Sequence, residues 1–186
     1  MLTWIILGVV VLALLYGVAV YNRLVRLRAL VREAFSGITV QLRRRADLVP
    51  NLVSTVQGYA AHERETLDAV TAQRTAATNA GSVAATAQAD AAMTAMLGRL
   101  MAVAEAYPDL KADANFRELQ TELSGLETEL QSARRYYNAT ARDLNTRVVS
   151  FPDMFVAGPI GFKEEPYYED ADASIQSAPK VDFKPA

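Results

Sequence analysis

Residues 2–21 read LTWIILGVVVLALLYGVAVY and contain no charged side chain. Wound as a helix with a rise of about 1.5 Å per residue, such a run reaches roughly 30 Å, the thickness of a hydrocarbon core. Its flanks are asymmetric: no Lys or Arg precedes it, whereas Arg23, Arg26, Arg28 and Arg32 come after it. A cleaved signal peptide calls for a basic n-region, a shorter apolar stretch and a small-x-small cleavage site. This run is too long, and Tyr21-Asn22-Arg23 is a poor cleavage neighbourhood. The expectation is an uncleaved single-pass anchor. By the positive-inside rule its short N-terminus lies outside and the rest of the chain in the cytoplasm. Trp4 and Tyr21 stand at its two ends as interfacial residues, and Ala13 with Gly17 forms a small-xxx-small pair that lets helices approach.

The net charge of −2 hides a gradient. Residues 22–46 carry seven arginines against Glu33, and the tail 151–186 is acidic. A basic block beside a bilayer gains about 1 kcal/mol per well-placed cation from anionic headgroups. Arg23, Arg26, Arg28 and Arg32 are therefore the membrane-surface candidates, with lipid as a partner. The block is short and the remaining chain is not basic, which argues against nucleic acid. The absence of cysteine excludes disulfides, thiolate metal sites and a cysteine nucleophile.

Beyond the anchor the apolar residues take a helical period. Leu24, Leu27, Val31, Phe35, Ile38 and Leu42 step by three and four along one face. Nothing between Tyr21 and Leu24 breaks a helix, so the anchor is expected to run on into the domain. Pro50 lacks a donor and disfavours helix at Val49, while Asp47 can cap a new helix beginning there. A turn and a kinked continuous helix both fit, and the turn is expected. A second helix then carries Leu52, Val56, Tyr59, Glu63, Leu67 and Val70, stepping by three and four, and gives way to a small polar loop over 75–82. A third spans 83–107, with an alanine-rich first part, 84–92, that packs little and frays. Its face is Met93, Met96, Leu97, Leu100, Val103, Ala104 and Tyr107, and Pro108 ends it.

The fourth helix, which Asp109 or Asp113 can cap, is the most regular. Phe116, Leu119, Leu123, Leu126, Leu130, Ala133, Tyr137, Thr140 and Leu144 form a seam of the coiled-coil kind. Gly125 interrupts it at a cost of roughly 1 kcal/mol relative to Ala, for which close approach of another helix is the expected reason. Phe151-Pro152 stops the helix. Residues 151–168 are expected to lie extended against the bundle, and 169–179 to be mobile. The fold class is all-α: a transmembrane helix running into an antiparallel up-and-down bundle of about four long helices, with an extended tail. The parts are an anchor (2–21), a bundle (22–150) and a tail (151–186).

Little here carries chemistry. His62 is the only histidine, so the paired Glu-x-x-His motifs of a di-iron bundle cannot be made. Phosphate-binding glycine loops and the G-x-S-x-G elbow are absent. Ser54 and Thr55 lie about two helical turns from His62, roughly 11 Å, too far for nucleophile and base. The most polar grouping is Arg43, Arg44, Arg45, Asp47 and Asn51, with Glu105 and Asp109 as further candidates. Intramolecular ion pairing, with an arginine on Asp47 or Asp109, is the expected use of these groups. Convergence of Asp47, Glu63, Glu105 and Asp109 as a hydrolytic carboxylate site is the alternative. No catalytic, cofactor-binding or metal-binding residue is assigned.

Several stretches together resemble the LemA family of bacterial membrane proteins. They are Tyr21-Asn22 with Leu24-Val25, Val40-Gln41-Leu42-Arg43-Arg44-Arg45-Ala46-Asp47-Leu48-Val49-Pro50-Asn51-Leu52-Val53, Gly58-Tyr59-Ala60 with His62-Glu63, and Leu97-Gly98-Arg99-Leu100. Glu105-Ala106-Tyr107-Pro108-Asp109-Leu110-Lys111, Arg135-Tyr136-Tyr137-Asn138 and the tail from Phe151-Pro152 to Gly161-Phe162 come next in the same order. Phe35 stands where many members have Trp. The resemblance implies an anchor in the bacterial inner membrane, a bundle of about four helices, and no catalytic residues or cofactor. The function expected is a non-enzymatic membrane-anchored scaffold or adaptor for membrane or cytoplasmic proteins, self-associating through anchor or bundle. An accessory role in membrane proteolysis or envelope maintenance is the alternative the family suggests.

Overall fold

The computed structural model describes residues 1–60, 62–78 and 81–168, so the expectation of a mobile 169–179 lies outside the described residues. Among these residues the fold is all-α, with no strand. In chain order the helices are α1 (Leu2–Tyr59), α2 (Arg64–Thr78), α3 (Val83–Glu105), α4 (Pro108–Ala112), α5 (Ala114–Val149) and α6 (Met154–Ala157). The apolar run and the Leu24 face beyond it belong to one helix, as the lack of any breaker between them dictates.

The expected turn at Pro50 is absent. Pro50 sits inside α1, which continues nine residues further to Tyr59. A proline in a helix leaves the carbonyl four residues earlier without its donor. Here that carbonyl belongs to Ala46, and the Nε–H of Arg74 donates to it at 3.0 Å. The same guanidinium lies 3.7 Å from the Asp47 carboxylate. The side chain from α2 thus supplies the hydrogen bond that Pro50 withholds, and the pyrrolidine ring faces outward on the exposed side. The core spacing then passes the proline undisturbed: Leu42, Ala46, Val49, Leu52, Val56 and Ala60 are all buried. The chain first leaves helix at Ala60.

Two compact units share the described chain: Met1–Arg45 with Glu122–Tyr168, and Ala46–Thr121. In the first, α1 buries Leu24, Val31, Ile38 and Leu42, and α5 buries Leu130, Tyr137, Ala141 and Leu144. Phe35 tilts against Tyr137 with ring centroids 5.9 Å apart. In the second, α2 packs on α3, and Val49, Leu52, Val56, Leu67, Val70, Met93, Leu97, Leu100, Leu110 and Phe116 are buried. Each large side chain buried in this way contributes about 1.5–3 kcal/mol.

The helix ends and seams mostly obey their sequence signals. Ser82 caps α3 by accepting from the Ala85 amide at 3.2 Å. Asp113 caps α5, its Oδ1 accepting from the Phe116 amide at 2.9 Å. That amide, with the Tyr59 hydroxyl donating at 3.1 Å, holds the Asp113 carboxyl below its ordinary value. Two expectations are corrected. The alanine-rich start of α3 packs rather than fraying, for Thr86, Ala87 and Asp90 are all buried. Small side chains there allow close contact instead of signalling its absence. Gly125 is exposed, and a Cβ built on it meets nothing within 4 Å, so no neighbouring helix requires the glycine.

Two substitutions test these readings by chemical denaturation of the detergent-solubilised chain. Arg74→Met should cost about 1–2 kcal/mol by stranding the Ala46 carbonyl. In the Pro50→Ala background, where a backbone N–H returns, it should cost about 1 kcal/mol less; equal losses in both backgrounds would show that Arg74 does not serve that carbonyl. Gly125→Ala should stabilise by about 0.5–1 kcal/mol through helix propensity alone. A loss of stability would mean that the glycine is needed for contact.

Candidate functional site

The richest polar geometry lies where the C-terminal segment meets α1 and α5 in the first unit. After α5 the chain turns through Phe151, Pro152 and Asp153 into α6. Gly161, with φ +77°, then reverses it in a conformation that side chains disfavour. The reversal brings the Phe162 amide to the Ala157 carbonyl at 3.0 Å. It also seats the Phe162 ring beneath Arg28, whose guanidinium carbon is 4.3 Å from the ring centroid. Arg28 is thereby only partly exposed and committed to the protein, whereas Arg23, Arg26 and Arg32 are exposed.

From Phe162 the chain runs extended along α5 to Tyr168; of the stretch 151–168 expected to be extended only this part is so, since 151–161 form turns and α6. Two asparagines hold it. Asn145 donates to the Glu165 carbonyl at 2.9 Å and accepts from the Glu165 amide at 2.8 Å. Asn138 does the same for Tyr168, at 3.0 Å and 2.8 Å. Between them the Tyr137 hydroxyl donates to the Pro166 carbonyl at 2.7 Å, and burial pushes that phenol up to about 12. Seven residues of helix and three of extended chain both span about 10 Å, which is why the two asparagines meet Glu165 and Tyr168 in register.

At the other end of the segment, Asp153 is 5% exposed. The Tyr16 hydroxyl donates to its Oδ1 at 2.5 Å, and Arg147 Nη1 donates to its Oδ2 at 3.1 Å. These donors, with the charge of Arg23 nearby, hold the Asp153 carboxyl below its ordinary value against the opposing effect of burial. Tyr16 lies five residues before Tyr21, inside the apolar run. On α1 next to it, Ala19, Asn22, Arg23, Arg26 and Leu27 line an open groove of about 470 Å³. These residues share one face by their helical spacing and combine two cations with an apolar floor.

The other candidates are dispersed. Arg43 and Arg44 are exposed, and Arg44 pairs with Glu129 at 3.6 Å. Arg45 is buried and lies 3.3 Å from Glu127, which Arg134 approaches at 3.9 Å. The expected ion pairing is intramolecular but with other partners than Asp47 for two of the three: Arg44 and Arg45 turn to α5, and Asp47 goes to Arg74. Asn51 is exposed and uses its carbonyl to accept from Ser54 and Thr55. Glu105 closes α3 and Asp109 opens α4, both exposed. Among the described residues, no group of three or more His, Asp or Glu side chains is arranged to hold a metal ion. Tyr16, Asn145, Arg147 and Asp153 carry no pattern in the sequence, and Asn138 enters it only as the end of the Arg135-Tyr136-Tyr137-Asn138 stretch. The one available signal was the pair of asparagines seven residues apart beside the Tyr137 and Leu144 seam.

The LemA family model matches residues 34–183. Magnetosome protein MamQ 1 of Paramagnetospirillum magneticum is 26% identical over 179 residues, covering 82% of this chain and 66% of the relative. Magnetosome protein MamQ of Magnetospirillum gryphiswaldense is 25% identical over the same shares. Protein LemA of Metamycoplasma hominis is 28% identical over 131 residues, covering 70% of this chain and 60% of the relative. The chain thus spans just under two thirds of the length of these relatives, and none of their names specifies a reaction.

The Asp153 contacts predict a pH-dependent tail. A carboxyl lowered in the folded state contributes stability above its unfolded pKa and loses it as pH falls through the folded pKa. Hydrogen exchange of residues 151–162, corrected for intrinsic rate, should therefore show protection falling as the medium is acidified below the ordinary carboxylate range. In Asp153→Asn the acid-dependent part should vanish. An unchanged acid profile in that variant would assign the effect elsewhere.

Proposed function

The chain belongs to the LemA family, and from that premise we propose that it is a non-enzymatic, single-pass membrane scaffold with its helical domain on the cytoplasmic face. The observation that carries this reading is the union of apolar run and domain in one helix. Residues 2–21 contain a stretch long and apolar enough to cross a membrane, and α1 continues from it without a break. Tyr16 and Asp153 then tie that stretch to the far end of the same compact unit. Such a unit is held at the bilayer by packing and not by a tether, as suits a protein whose task is to present a surface at a fixed height. The seven arginines of residues 22–46 support the cytoplasmic side and the bacterial inner membrane.

Polar groups in the first unit support the non-enzymatic part of the reading. Asp153, Arg147, Asn138, Asn145, Arg45 and Arg28 are engaged in holding segments of the chain together. Membrane or cytoplasmic proteins, a second copy of the chain among them, are the partners proposed for its exposed helical faces.

Photo-crosslinking in intact cells tests the scaffold. A benzophenone side chain placed at Tyr136, which is 51% exposed on α5, should give a discrete adduct with a second copy or with one other protein. The absence of any adduct from Tyr136 and from exposed positions around α5 would count against it. The chain has no cysteine, so Ser132→Cys reports the side directly. It should react with an impermeant maleimide only after permeabilisation, and labelling of intact cells would reverse the orientation.

A further inference from the structure

Among the described residues beyond the span, the turn that carries Asp153 holds the two most exposed large apolar side chains, Phe151 at 78% and Phe155 at 67%, with Val149 at 56%, Met154 at 45% and Ile160 at 44% close by in the chain. Phe151 and Phe155 pack edge to face with centroids 5.9 Å apart, so the two rings present one ridge. A water-facing loop seldom displays so much apolar surface in so few residues. Neither ring is needed for the core of the unit, since the tail is already seated by Ala157, Phe162 and Tyr168, all buried.

The height of the turn is fixed by its partners. The Tyr16 hydroxyl donates to Asp153 at 2.5 Å. Tyr16 is five residues inside Tyr21, or about 7.5 Å along the helix axis. That depth matches the roughly 5–10 Å to which interfacial apolar groups sink below the headgroups. Leu12, Leu14, Leu15 and Val18 around it are all exposed. Whatever medium surrounds the span at the level of Tyr16 therefore also surrounds the turn. The charge brought to that level is provided for: Asp153 is bonded by Tyr16 and Arg147. Exposed Arg23 and Arg26, with exposed Lys163 on the tail, offer cations to anionic headgroups.

We infer that the turn at Phe151 and Phe155 is a second membrane contact, an aromatic wedge pinned by Asp153 to Tyr16 that enters the interfacial layer of the same leaflet as Arg23 and Arg26. The inference rests on the membrane reading of residues 2–21. A single helix is free to rotate about its axis; the wedge removes that freedom and fixes which face of α1 and α5 looks along the bilayer. Lipid is the occupant because the patch is continuous with the exposed face of the span.

The test uses the full chain in vesicles of phosphatidylcholine with roughly one quarter phosphatidylglycerol. Nitroxides are attached at Leu12→Cys, Phe151→Cys, Phe155→Cys and Ser132→Cys, one per protein, and collision with oxygen is compared with collision with a water-soluble nickel chelate. Oxygen should dominate at 12, 151 and 155, and nickel at 132. Phe151 and Phe155 are exposed, so their replacement leaves the core intact, which circular dichroism checks. Nickel dominance at 151 and 155 with oxygen dominance at 12 would overturn the wedge and leave the anchor standing. Protection from both reagents at 151 and 155 would also overturn it, by showing protein on the patch. Nickel dominance at 12 would overturn the membrane reading itself.

Discussion

A helix can leave water because its backbone groups bond to one another, and α1 depends on this along its whole length. Over residues 2–21 the requirement is met by sequence alone, since no proline interrupts the run. Further on, Pro50 breaks the ladder at the Ala46 carbonyl, and Arg74 closes it from α2. Arginine suits the task better than lysine. Its planar fork sends Nε to the carbonyl while a terminal nitrogen reaches Asp47, so one side chain meets two acceptors in fixed geometry. Because the proline ring points away from the core, the buried series through Val49 and Leu52 keeps its phase.

The C-terminal segment solves the same problem with other means. Extended chain lying on a helix has no strand partner for its amides and carbonyls, and a buried unpaired group costs as much as a lost hydrogen bond. An asparagine amide offers one acceptor and a donor in the geometry of a peptide edge, so Asn138 and Asn145 act as short pieces of strand built on α5. The Tyr137 hydroxyl fills the gap between them at Pro166. Fixing the segment at Glu165 and Tyr168 also fixes the residues before it. The reversal at Gly161 and the seat of Phe162 under Arg28 return the chain to α1, and Asp153 meets Tyr16 there.

The features legible in the sequence were those that depend on period and on single-residue signals. The apolar run, the start of α3 at Ser82 and the Asp113 cap appear where their patterns lie, and of the Phe116 to Leu144 series Phe116, Leu130, Tyr137, Thr140 and Leu144 are buried. The proline departs from its local signal because a remote donor, Arg74, cancels the penalty that the local sequence carries. The phase of Leu42, Ala46, Val49, Leu52 and Val56 on both sides of it already favoured a continuous helix, since a turn would have reset that spacing. Gly125 departs in the opposite sense: a glycine inside a helix points to a close neighbour, yet its surroundings are open. The Tyr16 and Asp153 contact was beyond reach, because it joins residues 137 positions apart and neither carries a pattern.

The uses of the arginines separate structure from function more clearly than their number does. Arg44 and Glu129 are both more than half exposed, and such a pair contributes at most about 1 kcal/mol. Arg45 is different: it is buried, and its charge has Glu127 beside it at 3.3 Å, with Arg134 on the other carboxylate oxygen. Removing one member of such a group leaves the others in a poor solvent, so its loss costs more than that of an exposed pair. Arg28 is held by Phe162 and Arg147 by Asp153. The arginines still facing outward beside the span are Arg23, Arg26 and Arg32. A basic block that looks uniform in the sequence is therefore divided by the fold, with Arg28 committed to the tail and its neighbours Arg23, Arg26 and Arg32 exposed.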